Sequence, residues 1–157
     1  MFTVTAIVEP FHPGADTETL LNRVMVLWAS AKLPALLTPE QRQAIIDAAV
    51  SRQQAEGGWT SSALGPFKRV DATALDVKSD GYATGLVTLA LQHAGVPKSD
   101  THVRQGLAWL AQHQDPATGM WLASSLNKKR DPASDVGKFM SDAATAYAVL
   151  ALTHAAH

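Results

Sequence analysis

Residues 53–59 read Gln53-Gln54-Ala55-Glu56-Gly57-Gly58-Trp59, and residues 114–121 read Gln114-Asp115-Pro116-Ala117-Thr118-Gly119-Met120-Trp121. Each segment opens on a glutamine and closes on a glycine and a tryptophan. The next Ser-Asp pair follows each tryptophan at the same distance, ending at Asp80 and at Asp142. Two similar apolar runs come next, Ala83-Thr84-Gly85-Leu86-Val87-Thr88-Leu89-Ala90-Leu91 and Ala144-Thr145-Ala146-Tyr147-Ala148-Val149-Leu150-Ala151-Leu152. Further back, Ala31-Lys32-Leu33-Pro34 matches Ala94-Gly95-Val96-Pro97. A unit of about 62 residues therefore repeats, and a period of that kind signals stacked supersecondary units.

Apolar spacing makes the units helical. Leu20, Leu21, Val24, Leu27, Trp28 and Ala31 fall at helical intervals and predict a first helix from about Thr17 to Lys32. Thr38, Pro39 and Gln41 form a capping-box start for a second, with Ile45, Ala48 and Ala49 facing inward. Ser79 or Asp80 opens a third helix, which stops at Gly95 before Pro97. A fourth runs from about Asp100 to His113, with Val103, Leu107, Leu110 and Ala111 on its apolar side. A fifth starts at Ser141 or Asp142, with each aspartate (Asp80, Asp142) acting as an N-cap. Helices one, three and five are apolar nearly all round, whereas two and four are amphipathic. The sequence thus predicts an all-α chain of two and a half helical hairpins, with an inner and an outer row. Repeat one spans 17–79, repeat two 80–141 and the terminal helix 142–155, within one domain of 17–157. Residues 1–16 alternate weakly and carry Pro10 and Pro13, which predicts an extended arm. About twenty polar residues separate each tryptophan from the following inner helix, and loops of that length tend to be functional.

The chain has 157 residues, 46% of them hydrophobic and 17% charged, with a net charge of −1. That length suffices to bury roughly 68–70% of the unfolded surface. The charge balance excludes the basic excess of a nucleic-acid binder. Lys128-Lys129-Arg130, the one basic run, reads as a solvated loop. Without cysteine there are no disulfides or thiolate metal sites. The start lacks the pattern of a signal peptide, and no apolar run reaches the ~20 residues of a membrane span. These features predict a soluble, cytoplasmic protein.

The glutamine is expected to stack its amide on the indole beyond the turn and to bond free carbonyls at the helix end. The glycine lets the backbone return tightly. Gln53, Gly57, Trp59, Gln114, Gly119 and Trp121 thereby become structural staples between hairpins. A ligand-binding tryptophan is the alternative.

These segments resemble the QW repeats of the squalene–hopene and oxidosqualene cyclases and, more loosely, the β-subunits of protein prenyltransferases. The second copy fits best, through Arg104, Gly106, Trp109-Leu110, Gln114, Gly119 and Trp121. The resemblance covers about residues 17–154 and implies a partial α/α toroid, whose inner helices line a cavity. Cyclases of this kind protonate an alkene with an Asp-x-Asp-Asp-Thr-Ala motif at the start of an inner helix. Here the corresponding stretches are Asp80-Gly81-Tyr82-Ala83-Thr84-Gly85 and Ser141-Asp142-Ala143-Ala144-Thr145-Ala146, and the aspartate cluster is missing from both. The zinc set of the prenyltransferases needs a cysteine and fails too. His93, His102, His113, His154 and His157 read as surface residues, so no metal or cofactor is expected.

A cyclisation cavity also needs many aromatic rings to stabilise cations. Only Trp28, Tyr82 and Tyr147 on inner helices, with Phe67 and Phe139 in the loops, remain as ligand-binding candidates. The expected function is a repeat domain that binds a hydrophobic, isoprenoid-like ligand or a partner chain, without cyclase activity. Alternatives are a terpenoid-type cyclase or isomerase using Asp80 or Asp142, and a structural interaction module or C-terminal fragment of a larger protein. Two outer helices cannot shield three apolar inner ones, so a homo-oligomer, a dimer above all, or the rest of a longer chain should cover them.

Overall fold

A computed structural model describes residues 18–155. The expected arm at 1–16, Thr17 and His157 lie outside the described residues. Five α-helices form: α1 (Leu20–Ser30), α2 (Pro39–Val50), α3 (Gly81–His93), α4 (Thr101–Gln112) and α5 (Asp135–Ala155). Short 3-10 turns occur at Pro34–Leu36 and Ser61–Leu64, and no strand is present among the described residues. The chain is all-α.

Local chemistry sets most of the boundaries. Thr38 accepts from the Gln41 amide at 3.2 Å while the Gln41 side chain accepts from the Thr38 amide at 2.8 Å, a reciprocal cap. Asp80 caps α3 by accepting from Ala83 N at 3.0 Å, and Asp100 caps α4 through His102 N at 2.8 Å. Thr19 caps α1, so that helix begins later than its apolar pattern alone suggests.

Helices α1, α3 and α5 pack side by side, with α2 against α1 and α4 against α3 and α5. The core divides accordingly into two clusters, each built around one repeated tryptophan. Val24, Leu27, Ile45, Ala49, Leu64, Leu86 and Val87 surround Trp59. Leu89, Trp109, Leu110, Ala144, Ala148 and Ala151 gather with Trp121. Helix α3 contributes to both and is buried from Ala83 to Gln92. The helices on either side of it are not enclosed: α5 buries one stripe, Gly137, Ser141, Ala144, Ala148 and Ala151. Those residues are small, which brings α5 close to α3. A Cβ placed on Gly85 would lie 2.8 Å from Ala148 N.

Three expectations need correction. Helix α5 starts at Asp135, not at Ser141 or Asp142. Ser134 Oγ accepts from Gly137 N at 3.1 Å and supplies the cap, while Gly137 is buried where a Cβ would strike Asp131 O. Asp142 is therefore no N-cap; it lies exposed inside the helix. On α4, Ala111 is exposed, and Gly106 and Trp109 take the buried face with Val103 and Leu110.

The two long loops hold each other. Arg69 is buried and donates from Nε to Ser125 O at 2.9 Å, from a guanidinium nitrogen to Ala74 O, and from another to Asp76 at 2.6 Å. Val70 N donates to Asn127 O at 2.9 Å, and Lys129 N to Asp71 at 2.8 Å. The Thr73 hydroxyl and this Lys129 amide hold the Asp71 carboxyl down at about 2. A buried guanidinium shared among carbonyls thus replaces secondary structure between the loops.

Candidate functional site

The two glutamine-to-tryptophan segments adopt one geometry. Gly57 (φ +95°) and Gly119 (φ +73°) take left-handed backbone, which a side chain would strain, and each turn returns the chain by two residues to its tryptophan. Trp59 Nε1 donates to Ala49 O at 2.8 Å, and Trp121 Nε1 to Leu110 O at 2.8 Å. Each indole so satisfies a carbonyl near the end of the preceding outer helix. Gln53 Nε2 donates to Gly57 O, and Gln114 Nε2 to Gly119 O, both at 2.8 Å. The partners differ from those expected: the indole takes the helix-end carbonyl and the glutamine amide takes the glycine carbonyl within the turn. Gln53 also bonds His102, through its amide to His102 O at 2.9 Å and its carbonyl oxygen to Nδ1 at 2.5 Å.

Each tryptophan backbone then meets a threonine of the following inner helix. Trp59 N donates to Thr84 Oγ1 at 2.9 Å and Trp121 N to Thr145 Oγ1 at 3.1 Å. Thr84 and Thr145 are therefore equivalent, and the residue that matches Asp80 is Ser141. The paired Ser-Asp dipeptides align the sequence one residue out of this register. Ser141 has no cap to make, because α5 already runs past it; its hydroxyl donates to Gly137 O at 3.0 Å instead.

Two depressions flank the segment Ala123-Ser124-Ser125, which lines both. On one side lies a wider cleft of about 790 Å³, with the charged or titratable residues Arg69, Lys78, Asp80, His113, Asp115 and Lys129 set among apolar ones such as Leu75, Trp109, Leu122 and Met140. On the other lies an apolar groove of about 420 Å³ at the start of the inner helices. Leu21 of α1, Tyr82 of α3, Leu126 of the second loop, and Val136, Phe139, Met140 and Ala143 of α5 line the groove, with Ser61, Ser124, Ser125, Asn127 and Arg130 as its polar members. Small-molecule sites are roughly 300–1,000 Å³, mostly apolar and carry a few polar groups. The groove has that character, and α5 supplies much of it because its first turns come forward of Ser141.

Of the expected ligand-binding aromatics, the groove joins Tyr82 and Phe139, the latter 75% exposed. Tyr147 meets Tyr82 edge-on at 5.3 Å and Trp28 edge-on at 5.8 Å, so these three rings pack on one another from three inner helices. Burial first, then the neighbouring Tyr147, push the Tyr82 hydroxyl up to about 12. Phe67 lies apart from them, packed against the first core cluster with its ring against Gly65. Sequence reasoning missed Leu21, Leu126, Val136 and Met140. Met140 and Val136 precede the expected helix start, and a loop leucine carries no periodic signal.

Asp80 is buried, and its oxygens accept from Ser61 N at 2.7 Å, Ser61 Oγ at 2.9 Å and Ala83 N at 3.0 Å. Burial raises its pKa, and these donors pull against that rise. Asp142 is exposed and lines neither depression. The histidines are less isolated than expected. His113 stacks on Trp109 at 4.1 Å, and His93, half-buried, faces His154 at 4.7 Å. Among the described residues, no helix is long and apolar enough to cross a membrane, and no group of three or more His, Cys, Asp or Glu could hold a metal ion. Comparison of the chain with protein-family models, curated proteins and solved structures finds no match.

Proposed function

We propose that this chain is a toroid-type α/α repeat domain, of the kind built from QW repeats, that binds an extended apolar ligand in the groove beside Tyr82 and Phe139. The observation that carries the reading is the groove itself. Its lining is apolar from three helices and the second long loop, and its polar members, Ser61, Ser124, Ser125, Asn127 and Arg130, suit one polar end of a ligand. An isoprenoid alcohol has that shape, a branched apolar tail and a single hydroxyl. The paired glutamine-to-tryptophan segments act as staples that set the inner helices, and hence the groove, in position.

Binding of farnesol by titration calorimetry tests the proposal. Fully wetting a ring of the size of Phe139 forfeits ~1.5–3 kcal/mol, so Phe139→Asp should weaken binding by roughly one to two orders of magnitude. Ala143→Trp, which fills the groove from an exposed position, should abolish it. Farnesol binding of equal strength to parent and Ala143→Trp would refute the groove as the site. Because Asp80 serves as a cap with both oxygens engaged, incubation with squalene or a linear prenyl diphosphate should yield no cyclised product by mass spectrometry. Product that disappears in Asp80→Asn would favour the cyclase reading instead.

A further inference from the structure

Arg130 is the charged residue of the apolar groove, since among the described residues no Asp, Glu or Lys lines it. It is exposed, and the ion pair found among the described residues joins Arg69 to Asp76, which leaves Arg130 without a carboxylate partner there. Asp80 accepts from the Ser61 amide and hydroxyl, but it lines the wider cleft rather than the groove. The second long loop brings donors to the same place. Ser125 O accepts from Arg69 Nε at 2.9 Å and Asn127 O from Val70 N at 2.9 Å, so both carbonyls are engaged by the first long loop. Ser124, Ser125 and Asn127 line the groove, and the side chain of each can donate. The polar side of the groove therefore presents a guanidinium and several neutral donors, with no carboxylate among the described residues set against them.

Charge then selects the head of the ligand. An ammonium would meet the guanidinium as a like charge, and a neutral hydroxyl would leave that charge unmatched. An anionic head pairs with it through charge-assisted hydrogen bonds, which are roughly twice as strong as neutral ones. The planar fork of arginine matches the two oxygens of a carboxylate. One cation also balances one negative charge, whereas a phosphate monoester carries about −1.5 to −2 at neutral pH. Leu21, Tyr82, Val136, Phe139 and Met140 supply the apolar wall for a tail. We propose that the groove binds a carboxylic acid with a long apolar tail, its carboxylate against Arg130 and its tail beside Tyr82 and Phe139, an assignment that rests on the groove being the ligand site. Ser124, Ser125 and Asn127 supply further donors to the same head.

Farnesol and farnesoic acid share one tail and differ at the head, so the ratio of their affinities isolates the head. By titration calorimetry near neutral pH, where the acid is ionised, farnesoic acid should bind about tenfold more tightly than farnesol. Arg130→Gln, a change at an exposed position, should bring the two ligands to within about twofold of each other. Lys129→Gln removes a neighbouring charge that lines the wider cleft and not the groove, and it should leave the parent ratio in place. Ala143→Trp should abolish binding of both ligands. Equal affinities in the parent, or a ratio that survives Arg130→Gln, overturn the carboxylate assignment. A ratio lost equally in Lys129→Gln overturns it too, since overall charge would then be the cause. Farnesyl phosphate bound more tightly than farnesoic acid would replace the carboxylate with a phosphate head. Farnesol binding without a preference for the acid removes this inference alone and leaves the groove as the site, whereas failure of both ligands to bind removes the groove reading as well.

Discussion

Replacing Trp59 by alanine should be the most damaging single change in the first repeat. The side chain is fully buried and sits where α2, α3 and the 3-10 turn at Ser61–Leu64 meet. Truncation of a buried aromatic costs ~3–5 kcal/mol through lost transfer energy and the cavity left behind. Ala49 O loses the indole donor it has at 2.8 Å but keeps the Arg52 amide at 3.1 Å, so the lost hydrogen bond adds only ~0.5–1.5 kcal/mol and the total stays within that range. Against a typical stability of ~5–15 kcal/mol, little margin remains. With a urea slope of ~1–3 kcal/mol/M, the midpoint should fall by about 2 M. Trp59→Phe keeps most of the ring but not the donor and should cost less, about 1–2 kcal/mol. Trp121→Ala should fall below Trp59→Ala, because Trp121 is 4% exposed and its cluster borders the open side of α5. Urea unfolding followed by circular dichroism measures all three. Parent-like midpoints for both alanine variants would refute the account of the tryptophans as the centres of the two cores. A Trp59→Phe variant as unstable as Trp59→Ala would shift the cause from packing to the hydrogen bond.

The two glutamines should differ: Gln53→Ala, which loses bonds to Gly57 and His102, should cost about 1–2 kcal/mol. Gln114, exposed and bonded to Gly119 alone, should cost under ~1 kcal/mol, and equal losses in urea would contradict this. Arg69→Met should cost about 3 kcal/mol and free the first long loop. Limited trypsin digestion should then cut at Lys68 and Lys78 well before the parent is cut, and an unchanged digestion rate would count against the clasp. Burial first, then His154 of α5 and Lys32 beyond α1, hold the His93 pKa below the ordinary histidine value. The unfolded chain therefore binds a proton more readily than the folded one, so this contribution is present above about pH 6.5 and is lost as pH falls through the lowered folded value. Parent stability should drop between about pH 7.5 and about pH 5, and His93→Gln should flatten that slope; identical slopes would exclude His93 as the cause.

The reach of the sequence depended on whether a feature was local. Caps at Thr38, Asp80 and Asp100 are legible because one side chain and the next amides decide them. The glycines at 57 and 119 are legible because a tight return needs left-handed backbone in one place. The two copies of the glutamine-to-tryptophan segment exposed the repeat, but the Ser-Asp dipeptides suggested the wrong register. Asp80 needs its carboxylate at the start of a helix, whereas Ser141 and Asp142 already lie within one. What moved that start was tertiary: Gly137 accepts the turn at Asp131 and Pro132 against it, and a sequence pattern cannot show a close approach between distant backbone segments.

The same distinction explains the groove. Tyr82 was legible as a ring on an inner helix, and Phe139 was identified as an aromatic without its helix. Trp28 and Tyr147 were equally legible as inner-helix rings, yet Tyr147 meets both Trp28 and Tyr82 edge-on, and neither Trp28 nor Tyr147 lines the groove. Apolar character alone marks a side chain as buried somewhere; whether rings face a cavity or one another depends on how far the helices diverge. Between α1, α3 and α5 the rings touch, whereas ahead of α3 the early turns of α5 and the loop at Leu126 diverge enough to leave space. Arg69 widens that contrast. Its guanidinium fixes the loop walls by bonds to Ser125 and Asp76, so the groove owes its shape to a buried charge that no apolar pattern could reveal. If the loops set the groove, Arg69→Met should weaken farnesol binding even though Arg69 does not line it.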